Sequence, residues 1–287
     1  MNATLLAGAV LNGLVTGMIY ALMGIGLSLI LGLLNIPNFA HGVLYTLGAY
    51  VLFSVAAGPL GFLGGLLIAL VTVGVLGAAI EALAIRRLYR VHPDYILLLT
   101  FGLSLMLTEV VILIWGPVGF TVQPPALLAG GVDLGVAVYP KYRLAIMTVA
   151  AALVVTCYLF VERTKYGAII RAGIEDRDMV AALGINIGRV FTVTYAAGAA
   201  LAGLAGAFMV PVRGLLPVMG LDILPFAFVV VVLGGLGSLP GAIVAGLLVG
   251  VVQSVMTALW APGADFSVFT LMALGLLVRP QGLLGQR

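Results

Sequence analysis

The chain has 287 residues, of which 63% are hydrophobic and 8% charged, with a formal net charge of +3. Soluble domains carry about a quarter charged residues, so a soluble domain is excluded and an all-α, polytopic helical membrane protein is expected. A β-barrel is excluded as well, because ten-residue stretches alternating apolar and polar residues are missing.

The first apolar run, Leu5 to Leu34, is long enough to span a bilayer with tilt, and no basic residue precedes it, so no cleavable leader is expected. It stops at Asn35-Ile-Pro-Asn-Phe-Ala-His41-Gly42, where Pro37 removes a backbone donor, and a second run continues to Ala57. Gly58-Pro59 turns the chain into a third span, about Leu60 to Ile85. Arg86, Arg87 and Arg90 follow in a short loop, and Asp94 is the expected N-cap of a fourth span reaching Trp115. Residues 116–143 read as an external loop, with a small hairpin expected within Val132 to Tyr139. A fifth span covers Leu144 to Val161, and a sixth runs from about Val190 to Val210, with the charged loop 162–189 between them. Arg213 to Leu224 reads as a Pro/Gly-punctuated connection. Phe226 to Leu233 then meets Gly234-Gly-Leu-Gly-Ser-Leu-Pro-Gly241, followed by runs over Ala242 to Trp260 and Phe266 to Val278. The total is eight or nine membrane segments with Pro/Gly-broken helices, forming a single transmembrane domain over residues 1–287.

Gly occurs 39 times, about twice its usual share. The pairs Gly13/Gly17, Gly61/Gly65, Gly237/Gly241 and Gly246/Gly250 have the four-residue spacing that lets helix backbones approach closely in lipid. Asn12 and Gln253 are expected to make interhelical hydrogen bonds, and the one cysteine, Cys157, is expected to pack.

Orientation follows from Lys and Arg. Arg86 to Arg90, the 162–189 loop and the tail hold ten of the 13 basic residues, against Lys141, Arg143 and Arg213 elsewhere. That bias puts the charged loop and the C-terminus in the cytoplasm, and counting spans back from Arg86 puts the N-terminus on the periplasmic side.

Nine of the chain's 23 charged residues fall within Glu162 to Arg189, whereas residues 1–80 have none. Lys165 to Gly173 is expected to form a short helix stopped by Gly173. Glu175, Asp176 and Asp178 then crowd the first turn of a second helix, where negative charge suits the dipole. Gly184 fits its C-terminal stop and Asn186 the cap of the next span. Met179, Val180 and Leu183 make a small apolar stripe on a helix too short to stand alone. Two readings fit the stripe: an interfacial helix lying among headgroups, or a knob docked in a groove of a cytoplasmic subunit, with Arg171 and the acids fixing register.

The two interrupted regions, 35–42 and 234–241, either make tight inter-span turns or line a transport pathway, as paired broken segments do. On the second reading Asn35, Asn38, His41, Gly235, Gly237, Ser238 and Pro240 offer backbone and side-chain groups to a zwitterion. Glu81, close to Arg86 and Arg87, reads as a loop-end ion pair. Glu109 lies deeper with no basic partner in sequence, and reads as neutral, water-exposed, paired across an interface or in contact with solute. No phosphate-binding G-x-x-x-x-G-K-[ST] is present, no His/Cys cluster suggests a metal, and no nucleophile, base and orienter occur together. The chain is therefore expected to be neither an enzyme nor a nucleic-acid binder, and to carry no cofactor of its own.

Several blocks resemble the permease subunits of branched-chain amino acid ABC importers. They are R-A-G-I-E-D-R-D-M-V-A-A-L-G-I-N (171–186), N-F-A-H-G-x-L-Y-x-L-G-A-Y (38–50), G-G-L-G-S-L-P-G-A (234–242) and R-P-Q-G-L-L-G (279–285). They occur in the family's order, with Pro37 a departure from many members. The resemblance implies an inner-membrane subunit that pairs with a second homologous permease and with two ATPase subunits holding ATP and Mg. A periplasmic substrate-binding protein would deliver the solute, with membrane lipid around the bundle and residues 162–189 as the coupling element. Urea or short amides are alternative solutes within the family. An ion-coupled secondary transporter is the rival mechanism, disfavoured because Glu109 is the one deep acid. A scaffold without transport would leave the broken segments unexplained.

Overall fold

A computed structural model describes residues 3–34, 36–89, 91–133, 135 and 138–285. Asn35, Arg90, Leu134, Val136, Ala137 and Arg287 lie outside them.

The helices are α1 (Ala3–Leu34), α2 (Ala40–Ala56), α3 (Gly61–Leu83), α4 (Pro93–Trp115), α5 (Lys141–Arg163), α6 (Lys165–Glu175), α7 (Arg177–Ala182), α8 (Ile187–Arg213), α9 (Met219–Gly234), α10 (Leu239–Trp260) and α11 (Ala264–Val278). Among the described residues six segments are long and apolar enough to cross a membrane, from Thr4–Gly32 to Leu239–Val278. The polytopic helical class therefore holds. Strands β1 (Gly131–Asp133) and β2 (Val138–Pro140) pair antiparallel, with Val132 opposite Tyr139, so the expected hairpin forms.

Three local expectations need correction. Asp94 is not the cap of α4: Pro93 occupies the first turn, where its fixed φ and missing N–H cost nothing, and Asp94 sits beside it facing the dipole. Gly173 does not stop α6, which continues to Glu175; the glycine is buried beside Ile187 and serves packing. Residues 219–224 are helical, and α9 runs through Pro225.

The chain divides into two compact units, with boundaries inside α1, α5 and α9. The first comprises Met1–Ser28, Gln123–Val155 and Pro225–Arg287. Its spine is a glycine seam between α1 and α10. A Cβ on Gly13 would lie 2.6 Å from the Val251 Cα, one on Gly17 2.8 Å from the Leu247 Cα, and one on Gly246 2.6 Å from the Ala21 nitrogen. The partners descend as α1 advances, so the two helices are antiparallel and their backbones touch. Two of the small-residue pairs expected from sequence are thus each other's partners. Polar groups close the same unit: Tyr20 Oη donates to Gln253 Oε1 at 2.7 Å, and Gln253 Nε2 donates to Asp265 Oδ1 at 2.9 Å. Asn12 Oδ1 accepts from Tyr139 Oη at 2.9 Å and from Arg143.

The second unit comprises Leu29–Val122 and Thr156–Leu224. Here α2, α3 and α8 pack together, with Gly48 against Gly203 where α2 and α8 cross. Helix α4 runs alongside α2 in the same direction. At one end the Phe39 N–H donates to Thr100 Oγ1 at 3.3 Å, and at the other Trp115 Nε1 donates to Ser54 Oγ at 2.9 Å.

Candidate functional site: the charged loop and the helix breaks

The charged loop belongs to the second unit. Helix α6 starts at Thr164, whose hydroxyl accepts from the Gly167 N–H at 3.1 Å. Gly167 sits so close to the Val161 carbonyl that no side chain would fit. Arg171 donates to that same carbonyl and lies 3.6 Å from Glu162, so its guanidinium is tied to the base of the loop.

Helix α7 is capped by Asp176, which accepts from the N–H groups of Asp178 at 3.0 Å and Met179 at 2.9 Å. Its apolar stripe divides. Val180 is 3% exposed and anchors the helix, whereas Met179 and Leu183 are 62% and 73% exposed. Glu175, Arg177 and Asp178 are exposed around them. Gly184 takes φ +81° and ends the turn, and Asn186 Oδ1 accepts from the Arg189 N–H at 3.1 Å to start α8. The result is a short, rigidly capped element with two large apolar side chains facing outward. Exposed apolar side chains on a short capped helix are of the kind that a partner protein or a headgroup layer covers.

The first break is also in the second unit. Asn38 is fully buried; its Nδ2 donates to Tyr195 Oη at 2.9 Å and its Oδ1 accepts from the Ala40 N–H at 3.2 Å. Asn38 thus fastens the start of α2 to α8. His41 is buried one turn on. Glu109 is exposed on α4, on the helix face that also presents Leu105, Met106 and Leu113. The opposite face buries Thr100, Ser104 and Thr108, a hydroxyl every fourth residue. Sequence reading passed over that spacing, although it was legible. It also passed over Thr46 and Tyr50, whose buried hydroxyls, like that of Ser104, have no hydrogen-bond partner among the described residues. Glu81 forms the expected ion pair with Arg86, at 2.9 Å.

The second break lies in the first unit. Gly235 and Gly237 take φ +105° and +77°, Ser238 Oγ caps α10 by accepting from the Gly241 N–H at 3.1 Å, and Pro240 occupies the first turn of α10. The tail returns to this turn. The Leu283 N–H donates to the Leu233 carbonyl at 2.8 Å and the Leu284 N–H to the Gly234 carbonyl at 3.1 Å. Two of the orphan carbonyls at the end of α9 are satisfied in this way.

Comparison with known proteins agrees with this architecture. The chain is 33% identical to the high-affinity branched-chain amino acid transport system permease protein LivH of Salmonella typhimurium, over 96% of its own length and 94% of that protein's. It is 29% identical to the LivM permease protein of the same organism, over 93% of its own length and 68% of LivM's. Among solved structures, PsaBC from Streptococcus pneumoniae in complex with Fab superposes with a TM-score of 0.52 at 14% identity, covering 93% of this chain and 89% of that one, which shows a shared fold. A family model described as the permease component of branched-chain amino acid transport systems matches residues 9–278, and the chain belongs to that family.

Proposed function

We propose that this chain is the transmembrane subunit of an ATP-driven importer that moves branched-chain or other hydrophobic amino acids into the cytoplasm by alternating access. The observation that carries the reading is α7, a capped helix with Met179 and Leu183 projecting and Val180 holding it down. Its partner is an ATPase subunit, two copies of which bind ATP and Mg. A binding protein on the periplasmic side supplies the solute, and the chain itself holds no cofactor. Matches to both LivH and LivM of one organism support pairing with a second, related permease. The basic residues support a bacterial inner-membrane placement with the charged loop and C-terminus inside and the N-terminus outside. The solute path on this reading runs by the break in the second unit, with Asn38, His41 and the hydroxyls of Thr46, Tyr50 and Ser104, which lack a partner among the described residues, as its polar groups.

The test is uptake in cells or proteoliposomes carrying the complete complex. Gly184→Val, or Glu175→Lys together with Asp176→Lys, is expected to abolish uptake while the chain still inserts in the membrane. Uptake persisting at the wild-type rate in both variants would rule out α7 as the coupling element.

A further inference from the structure

Glu81, in the last turn of α3, has no solvent exposure, and four hydrogen bonds converge on its carboxylate. Oε2 accepts from Arg86 Nη2 at 2.9 Å and from Thr192 Oγ1 at 2.6 Å; Oε1 accepts from Tyr89 Oη at 2.6 Å and from Arg86 Nε at 3.3 Å. The planar guanidinium does more than neutralise the acid. Its Nη2 also donates to the Gly188 carbonyl at 3.0 Å and to the Thr192 hydroxyl, so α3 and the first two turns of α8 are clasped by one side chain. The Tyr89 ring meets Phe191 of α8 edge-on at 5.3 Å. Burial, followed by the Glu81 carboxylate, raises the Tyr89 phenol well above its ordinary range, so it stays a donor.

The position of this clasp matters. Gly188 is two residues past Asn186, the cap that ends the α7 loop. Tyr195, which receives the Asn38 hydrogen bond, lies one helical turn past Thr192. Between Gly188 and Tyr195 α8 rises about 10 Å. The same short length of helix is therefore joined in order to α7, to α3 and to the break before α2.

The geometry points to Glu81, Arg86 and Thr192 as positioning residues that transmit movement of α7 through the base of α8 to α3 and to the Asn38 break. This rests on α7 being the ATPase contact. The physical argument is that a displaced helix moves its neighbours only through contacts that resist both pull and shear. Apolar packing resists compression and slides. A buried acid held by a guanidinium fork and a hydroxyl resists all three, because losing any donor leaves charge uncompensated.

The complete complex, reconstituted in proteoliposomes with leucine presented by the binding protein, separates transmission from folding. The readout is leucine transported per ATP hydrolysed. Arg86→Lys keeps the charge but loses the fork, Thr192→Val loses the hydroxyl, and Thr192→Ser restores it. Arg86→Lys and Thr192→Val are expected to lower the ratio by roughly fivefold or more, the size of an ordinary coupling change, with ATPase binding retained. Thr192→Ser is expected to keep the wild-type ratio. If the first two variants reduce only the amount of assembled complex, and the assembled fraction keeps the wild-type ratio, the clasp is merely structural and the inference falls. If Met179→Ser with Leu183→Ser binds the ATPases as wild type does, the reading of α7 fails first and takes this inference with it.

Discussion

Gly184 and Gly235 each end a helix with positive φ, +81° and +105°, yet their surroundings are opposites. A Cβ on Gly184 would meet nothing within 4 Å, while one on Gly235 would lie 2.6 Å from the Gly285 Cα. Around Gly184 the helix ends are held by the side chains of Asp176 and Asn186, and large apolar groups point away from the chain. Around Gly235 the tail has already occupied the space, and backbone pairs with backbone. A turn satisfied by its own chain is finished as folded. A turn whose polar groups are satisfied but whose apolar groups are exposed is complete internally and incomplete outwardly, as the docking role proposed for α7 requires.

The largest expected effect tests the closed turn. Gly235→Val combines a strained φ with a clash against Gly285, and is expected to destabilise the folded chain by about 2–6 kcal/mol, read as a lower unfolding midpoint in detergent. The same substitution at Gly184 adds strain alone, about 1–3 kcal/mol, and should lower that midpoint by no more than half as much. Equal drops for both would erase the contrast between the turns.

Next comes the open surface itself. Met179→Ser with Leu183→Ser changes exposed positions, so stability should move by no more than about 0.5 kcal/mol. Binding of the ATPase subunits is expected to weaken by about thirtyfold, the loss of roughly 2 kcal/mol from a docking anchor. Titration of purified ATPase against the solubilised chain measures it. A midpoint that falls as far as that of Gly235→Val would mean that the two side chains belong to the folded core.

The smallest pair sharpens the comparison most. Asp176→Ala and Ser238→Ala each remove one N-cap, worth about 1 kcal/mol. The first is expected to reduce ATPase binding and uptake with an unchanged unfolding midpoint, the second to lower the midpoint with binding unchanged. Identical behaviour in both readouts would show that cap position is irrelevant.

Much of this was legible in the residues. Charge and apolar runs located the spans, and the stop at Gly184 and the cap at Asn186 were readable because each depends on one residue type at one place. The four-residue glycine spacing marked Gly13, Gly17, Gly246 and Gly250, although only coordinates could show that these two pairs face each other. Gly173 misled because a glycine that packs and a glycine that ends a helix look alike in sequence; burial beside Ile187 decides between them. The division of the Met179, Val180 and Leu183 stripe was also hidden, since hydrophobicity does not say which side chain finds a neighbour. Hardest of all were the long-range bonds. Thr192 donating to Glu81, and Asn38 to Tyr195, join residues more than a hundred positions apart, and a hydroxyl in an apolar run carries no mark of its partner.

The strap from residues 282–285 has a consequence for biosynthesis. Fifty residues separate Leu233 from the Leu283 that completes it. At a translation rate of about 5–20 residues per second, the end of α9 waits roughly 3–10 seconds for its last two amide donors. During that interval its carbonyls must be met by water or by a chaperone. A messenger cut short after Val278 would therefore yield a product with every helix present and those two carbonyls without the amides that complete them.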